Sequence, residues 1–238
     1  MTALSTSRAV TLITSKMCSA CGRAKKYWSV PEAKRNIIVP FRISRKEVLA
    51  AVEEVTAADR ELPSGIVLFQ GLPKGDKMEL IIQKAVELGA TEIVPVEMKR
   101  CVVKLDRKKA EKKAERWQTI ALGAAKQSKR MQIPTVHMPV TFQQALAMMA
   151  ESDVRLMPYE NAEGMEGTRK ILESIEPGES IAILIGPEGG IDEAEVEMAM
   201  KEKVEPITLG KRILRTETAG MTVLSILVYL LEGRERTR

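Results

Sequence analysis

Ile181-Ala182-Ile183-Leu184-Ile185 is a run of five apolar residues with no polar alternation, and it leads directly into Gly186-Pro187-Glu188-Gly189-Gly190. A strand without alternation has both faces covered, as at the centre of a parallel sheet flanked by helices. The glycines that follow permit unusual backbone angles and leave room for a ligand against the main chain, while Pro187 stiffens the entry. In open parallel sheets, ligands collect beyond the carboxyl ends of the strands, where helix N-termini present free N–H groups. The expectation is an α/β chain with its site at the end of a central strand. The loop has neither the Gly-x-Gly-x-x-Gly dinucleotide pattern nor the Lys-Ser/Thr ending of a phosphate loop, so by itself it also fits an ordinary tight connection.

From Gly65 onward strand-like and helix-like segments alternate, the order that builds a mostly parallel sheet with helices on its faces. The pattern predicts a buried strand over 66–69. A helix follows, opened by Asp76 with Glu79 three residues on, with Met78, Ile81, Ile82, Ala85 and Val86 as its apolar face and Gly89 at its end. Further strands are expected over 92–96, 135–138, 154–157 and 204–209, and helices over 106–127, 142–149 and 167–174. Asp192 and Glu195 make a capping-box start for a helix after the central strand. The last helix, ending near Glu232, is apolar nearly all round, with Met221, Leu224 and Val228 on one side and Val223, Leu227 and Leu230 on another. It is expected to be buried on more than one face, a second subunit being one cover.

The 238 residues are 45% hydrophobic and 29% charged, a globular composition. The longest apolar stretch, 223–231, is interrupted by Ser225 and is too short to cross a bilayer. No basic-then-apolar leader pattern opens the chain, so the expectation is a cytoplasmic protein with no membrane partner. Lys and Arg number 37 against 32 Asp and Glu. The basic residues concentrate in Lys99, Arg100, Lys104, Arg107, Lys108, Lys109, Lys112 and Lys113, then in Lys126, Lys129 and Arg130, which suits several phosphates or, equally, a solvated helix face. Cys18 and Cys21 form half of a zinc pattern, but no second pair exists and the only histidine, His137, lies in a strand-like segment. No metal site is expected.

Four ordered motifs carry a more specific message. Gly71-Leu72-Pro73-Lys74-Gly75-Asp76-Lys77-Met78-Glu79, Gln83-Lys84-Ala85-Val86-Glu87-Leu88-Gly89, Ile185-Gly186-Pro187-Glu188-Gly189-Gly190 and Leu209-Gly210-Lys211-Arg212-Ile213-Leu214-Arg215-Thr216-Glu217-Thr218-Ala219 resemble the RsmE family of ribosomal RNA uridine N3-methyltransferases. The resemblance spans about residues 49–232. It implies a SPOUT-type α/β domain over 63–238, with a mostly parallel sheet and a C-terminal deep trefoil knot, preceded over 1–62 by a PUA-like RNA-binding β domain. Residues 1 to about 42 lack the motifs of that β domain, so it is expected to be partial or atypical, whereas 42–48 look like its last strands.

The resemblance further implies a homodimer, S-adenosyl-L-methionine as cofactor, and methyl transfer to N3 of a uridine in 16S rRNA of the assembled small ribosomal subunit. Carried over residue by residue, the cofactor falls to Pro158, Glu160, Leu184, Ile185, Gly186, Pro187, Glu188, Gly189, Gly190, Leu209, Gly210, Ile213, Leu214, Arg215, Thr218 and Ala219. Ile213 and Leu214 would flank the adenine, and Gly189→Arg is expected to fill the pocket. Uracil N3 carries a proton, so transfer needs that proton removed or the anion stabilised. Arg215 is the candidate for stabilising charge on a uracil oxygen and Glu217 for orienting the base or accepting the proton. A salt bridge that merely shapes the loop is the alternative for both. Lys74, Lys77 and Arg100, together with Gln127, Ser128, Lys129 and Arg130, are candidates for RNA contact, and Tyr159 for stacking or simple packing. Two other readings stay open: a non-catalytic ribosome-binding or RNA-binding protein with the same fold, and a related transferase acting on transfer RNA.

Overall fold

Among the described residues, five short strands precede Arg60 and a parallel sheet follows it, in two units, Met1–Arg60 and Glu61–Arg238. The structure, a computed structural model, describes residues 27–28, 35–39, 41–43, 48–50, 54–57, 60–162 and 164–232. In the first unit, β2 (Arg35–Val39) lies between β1 (Tyr27–Trp28) and β5 (Glu54–Ala57), all antiparallel, and β3 (Phe41–Ile43) pairs antiparallel with β4 (Val48–Ala50). Strands β1 and β2 fall where the expected β-domain motifs are missing; β-branched Ile37, Ile38 and Val39 suit a strand without them. Cys18, Cys21 and residues 44–47 lie outside the described residues.

The second unit holds β6 (Ile66–Gly71), β7 (Glu92–Glu97), β8 (Thr135–Val136), β9 (Val140–Thr141), β10 (Val154–Pro158), β11 (Ile181–Ile185) and β12 (Glu205–Ile207). All pair in parallel in the order β12-β10-β11-β6-β7-β8, with β9 beside β8 on β7. Every residue of β11 is buried, and Ile181 to Ile185 pair in register with Ile66 to Gln70 of β6. The chain runs outward from β6 to β9, crosses to β10 and returns to β11, so the order reverses between β6 and β11. That reversal is where an open α/β sheet gains a crevice.

Helices α1 (Lys77–Glu87), α2 (Arg107–Ser128), α3 (Phe142–Met149), α4 (Met165–Glu173), α5 (Glu193–Lys201) and α6 (Thr216–Glu232) connect the strands. The face expected of α1, Met78, Ile81, Ile82, Ala85 and Val86, is the one it buries, and Gly89 closes it at φ +90°. Its start differs from expectation. Asp76 has a turn-like backbone and its side chain caps nothing, while Glu79 is drawn to Arg116 of α2, 2.7 Å away. The box expected at Asp192 and Glu195 does form, and Thr141 with Gln144 makes another for α3.

The strand expected over 135–138 stops at Val136 as β8, an unexpected second strand, β9, follows at 140–141, and the register with β7 shifts by one residue between them. His137 N still donates to Ile93 O at 2.9 Å, so the β7 residue two further on, Pro95, has its backbone turned to the same side. Pro95 has no N–H to continue the ladder, and a bulge follows. Strand β12 is shorter than the 204–209 expected, because Thr208 N leaves the sheet for Thr168 Oγ1 on α4 at 2.9 Å. Helix α6 begins at Thr216, inside the stretch read as loop. It buries Gly220, Val223, Leu224, Leu227 and Leu231 within this unit but leaves Met221 and Val228 half-exposed and Tyr229 exposed.

Candidate functional site

Next to that switch point, at the carboxyl ends of β10, β11 and β12, lies a cavity of about 420 Å³. Pro158, Tyr159 and Glu160 line it after β10, Gly186 to Glu188 with Gly190 and Ile191 after β11, and Thr208 to Arg215 after β12, closed by Lys77 of α1 and by Thr216 and Ala219 of α6. Its location follows from local chemistry. Gly71 ends β6 so close to the glycine loop that a Cβ there would stand 2.7 Å from Pro187 N. Gly190 and Gly210 adopt φ +72° and +107°, the left-handed region where a side chain is strained.

Behind the cavity runs a hydrogen-bond chain. Gln70, fully buried near the end of an otherwise apolar strand, donates Nε2 to Gly71 O at 3.0 Å and to Thr216 Oγ1 at 2.8 Å. The Thr216 hydroxyl in turn donates to Gly186 O at 2.6 Å. The ends of β6 and β11 and the head of α6 are thereby tied together. Gln70 was not singled out from the sequence, although a polar residue inside a buried strand is the signal that marks such a tie.

A second tie is ionic. Lys77 Nζ lies 3.0 Å from Glu188 Oε1 and 3.3 Å from Glu217 Oε2, and Lys74 N donates to both Glu188 oxygens at 3.1 and 3.3 Å. Burial alone would raise the Glu188 carboxyl, but its own backbone N–H, Lys77 and Lys74 N together hold it below the usual carboxylate range. Glu188, with Glu217 adding to it, holds the Lys77 ammonium above its ordinary value. A third tie fastens the far side of the loop. Arg100 Nη1 donates to Gly189 O at 3.3 Å, Lys99 Nζ reaches Asp192 Oδ1 at 2.9 Å, and Lys99 N donates to Glu195 Oε1 at 2.8 Å. Lys99 is the main cause of a lowered Asp192 carboxyl.

Most of the cofactor residues expected from the sequence converge here: Pro158, Glu160, Ile185, Gly186, Pro187, Glu188, Gly190, Leu209, Gly210, Ile213, Leu214, Arg215 and Ala219 all line the cavity. Three do not. Leu184 is buried inside β11, Thr218 is exposed on α6, and Gly189 abuts Arg100, where a Cβ would meet Arg100 Cβ at 3.1 Å and Arg100 O at 3.2 Å. Gly189→Arg would therefore press on the backbone at Arg100 instead of filling the cavity. Ile191 and Thr208 complete the wall and were missed, since neither residue type carries a signal apart from its fold position.

Arg215 lines the cavity, is exposed, and makes no ion pair among the described residues. Glu217 pairs with Lys77, so the Arg215–Glu217 bridge considered from the sequence does not form. Lys77, expected as an RNA contact, is part of the cavity wall, whereas Lys74 is exposed beside it and Arg100 sits on the glycine loop. Gln127, Ser128, Lys129 and Arg130 lie at the other end of α2, by the amino ends of the strands. Arg130 is a correction: its side chain is 4% exposed and is consumed by Glu61 and the carbonyls of Val86 and Ala90, out of reach of a phosphate. The Ser128 hydroxyl turns back to Ala124 O, while Gln127 and Lys129 are exposed. Tyr159 is half-buried in the cavity wall and its hydroxyl accepts from Asn161.

A parallel sheet with a glycine-lined cavity at the carboxyl ends of three strands, and a basic rim beside it, defines a class that comparison makes explicit: residues 60–228 match the RNA methyltransferase domain model. The ribosomal RNA small subunit methyltransferase E of Bacillus subtilis (strain 168) is 45% identical over 193 residues, 80% of this chain and 75% of that protein. The protein of the same name from Mesomycoplasma hyopneumoniae is 36% identical over 176 residues, 74% of each. The chain belongs to the ribosomal RNA small subunit methyltransferase E family, the one its motifs resemble. Among solved structures, the family member from Neisseria gonorrhoeae bound to S-adenosyl methionine superposes with a TM-score of 0.71 at 34% identity, covering 83% of this chain and 80% of that one. A putative Legionella pneumophila methyltransferase with bound S-adenosyl methionine gives 0.71 and 34%, covering 82% and 78%.

Proposed function

We propose that this protein is an S-adenosylmethionine-dependent methyltransferase that modifies N3 of a uridine in 16S rRNA of the small ribosomal subunit. One observation carries the reading: residues that the family motifs assign to the cofactor, drawn from three separate loops, meet around a single cavity of about 420 Å³. A volume of that order encloses a small organic ligand (roughly 300–1,000 Å³). The wall also fits the group chemically. Leu209, Leu214 and Ala219 offer apolar surface for a purine ring, with Ile213 exposed at the rim, and a Cβ on Gly210 would have nothing within 4 Å, leaving the backbone open to close approach.

When bound, the cofactor supplies an electrophilic sulfonium methyl group. The protein's part is to hold the uracil and manage its N3 proton. Arg215, which lines the cavity and makes no ion pair among the described residues, is placed to meet negative charge on a uracil oxygen. Glu217, held by Lys77, orients the base or accepts its proton, and the Lys77–Glu188 pair keeps the glycine loop in place for both tasks.

The further architecture belongs to the same reading. A trefoil knot is supported by the chain path: α5 carries the chain from β11 past β10 to β12, and α6 then returns to pack against α1 and β11. A homodimer is supported by the half-covered apolar surface of α6. Residues 1–62 would form a partial PUA-like RNA-binding domain. A cytoplasmic site accords with ribosomal RNA as substrate, and no helix among the described residues is long and apolar enough to cross a membrane.

The test is calorimetric titration with S-adenosylmethionine, followed by methylation of small subunits and mapping of the modified base. Saturable binding and a single N3-methylated uridine are expected. A folded protein that binds no S-adenosylmethionine would remove the reading.

A further inference from the structure

We infer that the amino-terminal half of α2, together with Lys104 before it, forms a docking track for the RNA backbone, leading away from the glycine loop. The inference rests on an RNA substrate but not on the identity of the methylated base. Residues 99–113 carry eight basic and two acidic side chains, so this short stretch holds more positive charge than the whole chain's net +5. Lys99 and Arg100 are held by Asp192, and Lys113 lies over the Trp117 ring, 5.9 Å from its centre. Arg107 pairs with Glu111 at 3.1 Å and Lys109 with Asp106 at 3.0 Å, both in the open. Lys104, Lys108 and Lys112 are exposed and make no ion pair among the described residues.

The placement runs against the helix's own stability. A helix N-terminus carries partial positive charge, so acids belong in its first turn and cations oppose it. The first turn of α2 has no acidic residue and contains Arg107, Lys108 and Lys109, offset by the Asp106 cap, which accepts from Lys109 N at 2.9 Å, and by Glu111 a turn later on Arg107, with nothing left for Lys108. A local rule broken with no gain in packing points to function. Geometry agrees, because Lys108 and Lys112 share one solvent face, opposite the buried stripe of Ala110, Ala114, Trp117 and Ala121. The track starts on the far side of the glycine loop: Lys99 and Arg100 are anchored to Asp192 and Gly189, and the chain reaches α2 seven residues after Arg100. Exposed lysines that make no ion pair among the described residues suit phosphates of a bound strand, which they attract without reading sequence.

The experiment compares three full-length proteins in salt-dependent binding to purified small ribosomal subunits: wild type, Lys104→Gln/Lys108→Gln/Lys112→Gln, and a charge-matched control, Lys170→Gln/Lys201→Gln/Lys203→Gln, all exposed. The track variant should bind about tenfold or more weakly, with a log–log salt slope shallower by about 2, as loss of a few phosphate contacts requires. The control should match wild type. S-adenosylmethionine affinity should be equal in all three, and the melting temperature of the track variant should be equal or higher, because the substitutions relieve the helix terminus. The corresponding triple Lys→Arg protein should bind like wild type. Equal loss in track and control variants, or no loss in either, would overturn the inference, as would a wild type that does not bind subunits. Subunit binding by a wild type that fails to bind S-adenosylmethionine would sink the methyltransferase reading and leave the track standing.

Discussion

Gly71 and Thr216 show how single residues set the cavity. A methyl group at Gly71 would have to displace the Pro187 backbone, which has no flexible end to yield. Gly71→Ala is expected to lose about 1–3 kcal/mol and at least tenfold in S-adenosylmethionine affinity, read by urea unfolding and calorimetry. Thr216→Val keeps the shape but removes the hydroxyl between Gln70 and Gly186, leaving two buried polar groups without it. The expected loss is about 1–3 kcal/mol, with Thr216→Ser close to wild type. A valine variant as stable as wild type would show that the chain of bonds is dispensable. At this scale the motif glycines were legible because glycine marks backbone that no other residue adopts easily. Gln70 was passed over, since its partner stands 146 residues away.

The elements around the site act through clamps between helix and loop. Lys77 on α1 grips Glu188 in the glycine loop, and the two titrate in opposite directions. Glu188, lowered on folding, contributes stability that is present above its ordinary value of 4.5 and is lost as pH falls through the folded value. Lys77, raised on folding, contributes below its ordinary value of 10.5, and that is lost as pH rises through the folded one. The difference in urea midpoint between wild type and Lys77→Met should therefore be flat from about pH 6 to 9 and shrink on both sides. A difference that grows on acidification would contradict the pairing. Helix identities were readable from periodicity, and the α5 capping box from two residues, because both depend on neighbours in the chain. The start of α1 was not: Asp76 and Glu79 have the spacing of a box, but α2 offers Glu79 an arginine that no local pattern reveals. Likewise Arg130 looks like one more surface cation until the fold encloses it.

For the whole molecule, α6 makes the strongest demand. Its buried stripe packs against α1 and β11, while Tyr229 is 79% exposed on the other side. In the proposed homodimer that side is covered, so Tyr229→Arg should shift the sedimentation coefficient from dimer toward monomer; an unchanged value would place the interface elsewhere. The parallel sheet, its central strand and the loop that carries the site were determined by the sequence itself, because burial on two faces, glycine backbones and helix caps are chemistry between residues close in the chain. Which strands neighbour β11, which carboxylate Lys77 meets, and that Gly189 faces Arg100 and not the cavity were decided only by tertiary structure. Those outcomes depend on residues about a hundred positions apart, and only when burial brings them together does their chemistry become one site.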